Sequence, residues 1–343
     1  VKALVLKHYM QFEYTDVPDP VVKDNEVLIN VKAAGICGSD IHGMDGSTGR
    51  RIPPVIMGHE ASGIITGVGK NVKEWKPGDR VTFDSTIYRL DDWYSRKGMY
   101  NLSDSRVVMG VSGTEYKRDG AFTEYIAVPE HILYRIPDNT SFVKAAMTEP
   151  AAVALHAVQL TSLNVNDSAV VIGAGMIGLF IIQILKIAGC NHIIAVDIDD
   201  EKLHLAENMG ATVSLNSLKH DVVSEVQQFT GGRGADIALE AVGMSQTIIT
   251  GINSLRKGGT LTLVGNTSSS VEIPLRSVVT RQIRLQGSCA VNGEYPAVLD
   301  MISEGKIKTD LILSAEAPLS EGASWFHRLY KKEKGLVKVV LKP

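Results

Sequence analysis

The sequence predicts a mixed α/β protein of two domains, a β-rich domain first and a doubly wound parallel sheet after it. Three observations carry this. Residues 1 to about 150 are rich in Val, Ile and Thr, and Gly and Pro turns cut them into short apolar or alternating runs. From about residue 151, strands alternate with apolar or amphipathic helices, the mark of a parallel sheet. The chain has 343 residues, enough for two domains and a sizeable core.

In the first domain the expected strands are Lys2–Leu6, Val27–Ala34, Ser62–Val68, Arg80–Phe83 and Phe122–Val128. Turn signals separate them: Pro18-Asp19-Pro20, Asp24-Asn25 and Lys76-Pro77-Gly78-Asp79. That spacing predicts a compact, barrel-like β domain.

In the second domain the expected strands are Ala169–Ile172, His192–Val196, Thr212–Leu215, Ile237–Leu239, Thr260–Val264 and Ile283–Gly287. The helices between them are Met176–Ala188, Glu201–Met209, Asp221–Thr230 and Ser245–Leu255. Ala169–Leu185 carries no charge over 17 residues, but three early glycines and the strand-then-helix pattern argue against a membrane span. The segment from Cys289 onward holds an expected helix, Tyr295–Glu304, and a last strand, Leu336–Leu341. So short a tail is expected to return to the first domain. The expected domains are 1–150 with 289–343, and 151–288, with the active site in the cleft between them.

Composition narrows the function. Hydrophobic residues make up 44% and charged residues 21%, ordinary for a soluble enzyme. A net charge of −3 gives no electrostatic reason for nucleic acid or an anionic membrane as partner. Cys37, Cys190 and Cys289 are too few for a disulfide framework and suggest a reducing compartment, the cytoplasm. The first residues show no secretory leader pattern.

Two stretches carry chemistry. Gly35-Ile36-Cys37-Gly38-Ser39-Asp40-Ile41-His42 and Gly58-His59-Glu60 bring a thiolate, an imidazole and a carboxylate within two dozen residues. Zinc binds such donors, with a position left open for catalysis. Singly, Cys37 reads equally as a small buried hydrophobe and His59 as a core histidine.

The second stretch is Gly173-Ala174-Gly175-Met176-Ile177-Gly178, which follows an expected strand and opens an expected helix. Asp197 ends the next strand, 19 residues after Gly178. This is the context a dinucleotide fingerprint requires. Gly173 permits the tight turn, Gly175 admits the pyrophosphate, and Gly178 lets helix and sheet pack closely. Asp197 should accept hydrogen bonds from the adenosine ribose. No arginine among residues 198–200 stands ready for a 2′-phosphate, so NAD is favoured over NADP.

Over essentially its whole length the chain resembles the medium-chain, zinc-dependent alcohol dehydrogenases. The pattern Gly58-His59-Glu60-x2-Gly63-x5-Gly69-x2-Val72 is similar to that family's zinc signature. The 35–42 stretch, Gly58–Gly63 and Glu149-Pro150-Ala151-Ala152-Val153-Ala154-Leu155-His156 resemble its polyol (sorbitol, xylitol, galactitol-phosphate) and threonine dehydrogenase branch.

The resemblance implies a GroES-like catalytic domain, a Rossmann coenzyme domain, and a homo-dimer or homo-tetramer. It places Cys37, His59, Glu60 and Glu149 at or beside the catalytic zinc. Ser39 falls at the hydroxyl that bonds the substrate alcohol, His42 at the outer relay position, and Asp40 behind His59. Lys202 falls at the ribose and Lys338 near the pyrophosphate. Met176, Ile177, Val242, Val264, Gly265 and Ser288 complete the implied coenzyme contacts.

Many relatives hold a second, structural zinc with four cysteines at Cys-x2-Cys-x2-Cys-x7-Cys. The matching positions here are Arg89, Asp92, Ser95 and Ser103, so one zinc per chain is expected. An Arg89–Asp92 ion pair, with packing from Trp93 and Tyr94, is expected in its place.

The implied reaction is hydride transfer between a secondary alcohol, such as a polyol, and NAD. L-Threonine or a sugar-alcohol phosphate is the alternative substrate, with Arg50, Arg51, Lys117 and Arg118 as a candidate phosphate site or as solvated loop charges. A zinc-free reductase, or a non-enzymatic NAD-sensing protein, is the reading from outside the branch.

Overall fold

The computed structural model describes residues 1–111 and 118–343. Its contacts divide the chain into two compact units. One comprises Val1–Glu149, Val291–Gly305 and Thr309–Pro343; the other comprises Pro150–Ala290 with Lys306–Lys308.

The first unit is built on a seven-stranded sheet. Its path runs Leu133–Arg135, Arg80–Phe83, Glu60–Val68, Glu26–Gly35, Lys338–Lys342, Leu313–Pro318, and Tyr125–Pro129 pairs with Glu26–Gly35 off that path. A three-stranded sheet, Gln11–Asp16, Lys2–His8 and Val55–Ile56, accompanies it. Apolar residues of alternate strands fill the core, Val27, Ile29 and Val31 among them, with Ile65, Val81, Phe83 and Phe122. Each such side chain taken fully out of water stabilises by about 1.5–3 kcal/mol.

Two ladders position the later chemistry. Gly35 pairs with Glu60 in one, and Val340 pairs with Gly35 in the other. The C-terminal strand therefore lies beside the end of Glu26–Gly35, next to the start of Glu60–Val68.

The expected strand from Phe122 begins only at Tyr125. The residues before it are used otherwise: Gly120 N, Ala121 N and Phe122 N donate to the carbonyls of Ile56, Gly58 and Met57. Gln11–Asp16, Leu133–Arg135 and Leu313–Pro318 carry no strong apolar run and are legible only as pairing partners.

The second unit is a six-stranded parallel sheet. Its order is Val213–Asn216, His192–Asp197, Ser168–Ile172, Ala235–Glu240, Leu255–Leu263, Arg284–Gly287. The first strand in sequence is central, and successive strands extend outward in opposite directions from it, the doubly wound arrangement. Ser168–Ile172 and Ala235–Glu240 are buried at every residue, which is why apolar side chains occupy consecutive positions there, 169–172 and 237–239, rather than alternating. The uncharged run 169–185 resolves into the end of one strand, a glycine turn and most of the helix Met176–Ile187. Among the described residues, no helix is long and apolar enough to cross a membrane.

Candidate active site

Cys37 lies two residues past the strand Glu26–Gly35 and caps the short helix Gly38–Gly43 in extended backbone. The Asp40 carboxylate reaches back to accept the Cys37 N–H at 3.3 Å. That reciprocal cap fixes the direction in which the thiol leaves the chain. Gly58, at φ 98°, makes the turn into Glu60–Val68 in a conformation that favours glycine. His59 and Glu60 follow it directly. The ladder pairing of Glu60 with Gly35 then brings both stretches together. Donor atoms of Cys37, His59 and Glu60 lie within 4.8 Å of one another.

Around this cluster the charges are buried and braced. Asp40 is fully buried, with Oδ1 3.4 Å from His59 Nδ1 and 2.8 Å from the Arg51 guanidinium. Burial alone would raise the Asp40 pKa; the charges of His59 and Arg51 outweigh it and hold the carboxyl below its ordinary value. Burial likewise opposes charge on His59, but Asp40 and Cys37 hold its pKa well above the usual imidazole value. Asp40 at Nδ1 leaves Nε2 as the nitrogen for a metal, the usual role of a carboxylate behind a ligating histidine. The Glu60 side chain, also fully buried, meets the Lys338 ammonium, which donates a second bond to the Ile36 carbonyl at 2.9 Å.

This donor set suits zinc. A thiol, an imidazole and a carboxylate converge, and the buried Glu60 Oε1 among them has no hydrogen-bond partner among the described residues. Glu149 stands in the first turn of the helix Thr148–Leu160, outside the converging set. Burial pushes its carboxyl up to about 8; Glu60 adds to this, while His59 and Lys338 pull it back. Ser39 Oγ lies 3.3 Å from Cys37 Sγ and accepts from Arg51 at 3.1 Å. His42 is exposed at the end of the same short helix.

In the second unit, Gly173 at φ 95° forms the turn after Ser168–Ile172. A Cβ on Gly178 would collide with the Gly173 carbonyl, whereas one on Gly175 would meet nothing within 4 Å. The first glycine pair thus packs helix on strand, and Gly175 keeps open space beside the backbone, a cradle that fits a pyrophosphate. Met176 and Ile177 open the helix. Asp197 ends its strand with Oδ2 accepting from Ala174 N at 2.7 Å and Oδ1 from Ile198 N and Asp199 N. Its carboxylate is thereby tied to the glycine turn and retains lone-pair capacity on Oδ2 for a ribose hydroxyl. Lys202 is half-buried on the helix Asp200–Met209. Val242 follows Ala235–Glu240, Val264 and Gly265 follow Leu255–Leu263, and Ser288 follows Arg284–Gly287 with a buried hydroxyl that has no partner among the described residues.

Three expectations are corrected. Lys338 does not present its ammonium to a coenzyme; it is consumed by Glu60 and Ile36 in the first unit. Arg89 does not pair with Asp92: its guanidinium is taken by Asp91 at 2.8 and 3.0 Å. Asp92 instead caps the helix Trp93–Arg96 through Ser95 N at 2.8 Å and accepts from the hydroxyls of Ser103 and Ser105. Three of the four positions where relatives place cysteines thus meet through one carboxylate. Trp93 is 62% exposed and stacks edge-on against Tyr94 rather than packing the lobe. As for the candidate phosphate site, Arg51 is buried on Asp40, Arg118 pairs with Glu26 at 3.0 Å, Arg50 is exposed, and Lys117 lies outside the described residues.

Arg51 and Lys338 are the parts of the site that residue types alone did not reveal. Lys338 left a signal, a lysine inside the apolar run Leu336–Leu341. Arg51 left none, because the burial of its side chain depends on Gly43, where a Cβ would come 2.6 Å from Arg51 Cγ.

The alcohol dehydrogenase GroES-like domain family matches residues 23–138, and the zinc-binding dehydrogenase family matches residues 177–304. The (R,R)-butanediol dehydrogenase of Bacillus subtilis (strain 168) is 33% identical, over 95% of this chain and 95% of its own. The D-arabitol-phosphate dehydrogenase of Enterococcus avium is 32% identical, over 94% and 91%. A crystallised chain from Sinorhizobium meliloti 1021, solved with NADP bound, superposes with a TM-score of 0.91 at 29% identity, covering 100% of this chain and 99% of that one. Matched along nearly its whole length, the chain belongs to the medium-chain, zinc-binding alcohol dehydrogenases.

Proposed function

We propose that the protein catalyses reversible oxidation of a secondary alcohol of the polyol or diol class with NAD. The observation that carries this reading is the convergence of Cys37, His59 and Glu60 with Asp40 and Arg51 braced behind them. Those three side chains would hold one zinc per chain, with Glu149 nearby as a further carboxylate. Zinc, when bound, supplies a Lewis acid that makes an alcohol hydroxyl acidic near neutral pH.

The chain's own residues do the rest. Ser39 Oγ would take the hydroxyl proton as it releases its own, and the nicotinamide ribose and His42 would pass that proton on to water; Ser39 and His42 are both exposed residues of one short helix. Arg51, donating to Ser39 Oγ, keeps that oxygen oriented. NAD, when bound, would supply the acceptor for the carbinol hydride, leaving a ketone and NADH. Gly173, Gly175, Met176, Ile177 and Gly178 seat the pyrophosphate, and Asp197 with Lys202 receives the adenosine ribose. Val242, Val264, Gly265 and Ser288 lie along the nicotinamide half. Asp197, Asp199 and Asp200 disfavour the 2′-phosphate of NADP, whatever the Sinorhizobium relative binds.

A phosphorylated substrate is the weaker reading. Arg51 and Arg118 already have carboxylate partners, leaving Arg50 alone among the described candidates. The working form is a homo-dimer or homo-tetramer in the cytoplasm. The exposed Leu275 and Val279 offer an association surface, and three cysteines that form no disulfide suit a reducing compartment.

The test is NADH formation across polyols, vicinal diols, their phosphates and L-threonine, with and without a zinc chelator, alongside metal analysis. Chelator-sensitive turnover of unphosphorylated polyols or diols, with one zinc per chain, is the expected result. Turnover confined to phosphates or L-threonine would move the substrate elsewhere in the branch. Activity that survives full metal removal would overturn the role given to Cys37, His59 and Glu60.

A further inference from the structure

Glu240 is the last residue of Ala235–Glu240, the strand beside the central one, and it is fully buried. Its Oε1 accepts three hydrogen bonds: from Val242 N at 2.9 Å, Gly243 N at 2.8 Å and Thr247 Oγ1 at 2.8 Å. Its backbone carbonyl accepts two more, from Val264 N and Gly265 N. One residue thus ties together the turns that follow two neighbouring strands. The turns are also in direct contact. A Cβ on Gly265 would collide with Gly243 N, and one on Gly243 would come 2.6 Å from Asn266 N. Thr267 Oγ1 donates to Val242 O at 2.7 Å and Ser268 N to Gly243 O at 3.1 Å. The first turn also abuts the glycine fingerprint: Ala241 N donates to Ile172 O, and Val242 Cγ2 lies 2.7 Å from where a Gly173 Cβ would stand.

The topology says what lies over these turns. In a doubly wound sheet the dinucleotide crosses the ends of the strands at the point where strand order reverses. Asp197 puts the adenosine half on one side of Ser168–Ile172. The other half then falls over the ends of Ala235–Glu240 and Leu255–Leu263. We infer that Glu240 is a positioning residue for the nicotinamide half of the coenzyme, its carboxylate holding the 241–243 turn against which the 264–267 turn packs. Glu240 touches no coenzyme itself. The inference rests on the coenzyme reading above and assigns the work to a side chain that fingerprint residues do not include.

The experiment compares NADH with ADP-ribose, which lacks the nicotinamide, as ligands for the intact protein. Both are titrated calorimetrically against the wild type, Glu240→Ala, Glu240→Gln and Glu240→Asp. In Glu240→Ala the backbone N–H groups of Val242 and Gly243 lose their acceptor, and NADH affinity is expected to fall about tenfold while ADP-ribose affinity stays within about twofold. Glu240→Gln keeps an acceptor oxygen at the same reach and is expected to restore NADH binding. Glu240→Asp keeps the carboxyl group but withdraws it by one methylene; it is expected to lose NADH selectively and serves if the alanine variant does not fold. Equal losses for both ligands, or none, in the folded variants would overturn the inference. A wild type that binds neither ligand would overturn the coenzyme reading, and this inference with it.

Discussion

Lys338 and Glu60 form an ion pair in which neither side chain is exposed, and 278 residues separate them in the chain. The pair joins the C-terminal strand to the metal-donor cluster. It also explains Gly35: a Cβ there would fall on Glu60 Oε2 and come 2.8 Å from Lys338 Cε.

Replacing Lys338 by Met should destabilise the metal-stripped protein by about 3–5 kcal/mol, because it leaves a carboxylate buried without its countercharge. Urea unfolding of wild type and Lys338→Met, both treated with chelator, measures the difference. Added zinc should recover more stability in the variant than in the wild type, since a cation at Glu60 replaces the missing charge. Equal unfolding midpoints with chelator would mean that the Lys338–Glu60 pair adds nothing to stability.

Arg51 is 2% exposed and donates to both Asp40 and Ser39. Arg51→Met removes the cation that steadies the carboxylate behind His59. Stability should fall by about 3 kcal/mol, the cost of breaking a buried pair. Zinc should bind at least about tenfold more weakly, the usual consequence of losing support behind a ligand. Arg51→Lys should recover part of the stability but less of the metal affinity, since one ammonium does not reproduce a planar fork. Zinc competition with a fluorescent chelator reads the second effect. A variant with unchanged zinc affinity would confine Arg51 to folding.

The glycines and the three donor types were legible because each answers to a local rule. Gly173-x-Gly175-x2-Gly178 needs close backbone approach, and Gly178 meets the Gly173 carbonyl as that rule requires. Cys37, His59 and Glu60 stand out because soft and hard donors rarely cluster by chance. What stayed hidden depends on which distant side chain a charge finds. Arg89 had Asp91 and Asp92 both within reach, and sequence spacing does not decide between them. The structure decides it by giving Asp92 to a helix N-terminus and two hydroxyls. Arg51 and Lys338 were read as loop or coenzyme cations for the same reason: burial is a property of the fold around them.

The Asp92 hub gives the lobe its own test. Asp92→Ala removes the acceptor shared by Ser95 N, Ser103 Oγ and Ser105 Oγ. The lobe is expected to open locally rather than to unfold the protein, since Ser95, Ser103 and Ser105, the partners of Asp92, all belong to the lobe itself. Limited proteolysis should cut between residues 93 and 106 faster than in wild type, with a small change in Tm and an unchanged zinc content. A large drop in Tm would show that the lobe is part of the global folding unit.

Asp84 carries the clearest pH signature away from the metal donors. It is 2% exposed and bonded to Thr86 N at 2.8 Å and Tyr100 Oη at 2.7 Å. Burial raises its pKa from 3.8 to about 6; the hydrogen bonds from Thr86 and Tyr100 oppose the shift, and Glu294 adds to it. Between those two values the folded form keeps a proton that the unfolded chain has released. Stability therefore falls as pH rises through that window, and the whole penalty stands above it. The gap between 3.8 and about 6 corresponds to about 3 kcal/mol at most. Asp84→Asn resembles the protonated form: the amide oxygen accepts from Thr86 N, and the Tyr100 hydroxyl turns to accept from the amide nitrogen. The variant should be more stable than wild type by up to about 3 kcal/mol at pH 8, and the advantage should shrink to nothing toward pH 4. Urea unfolding of both proteins from pH 4 to pH 8 follows it directly. A difference that does not vary with pH would mean that Asp84 ionises in the fold as it does in the unfolded chain, with its charge carried by the hydrogen bonds from Thr86 and Tyr100.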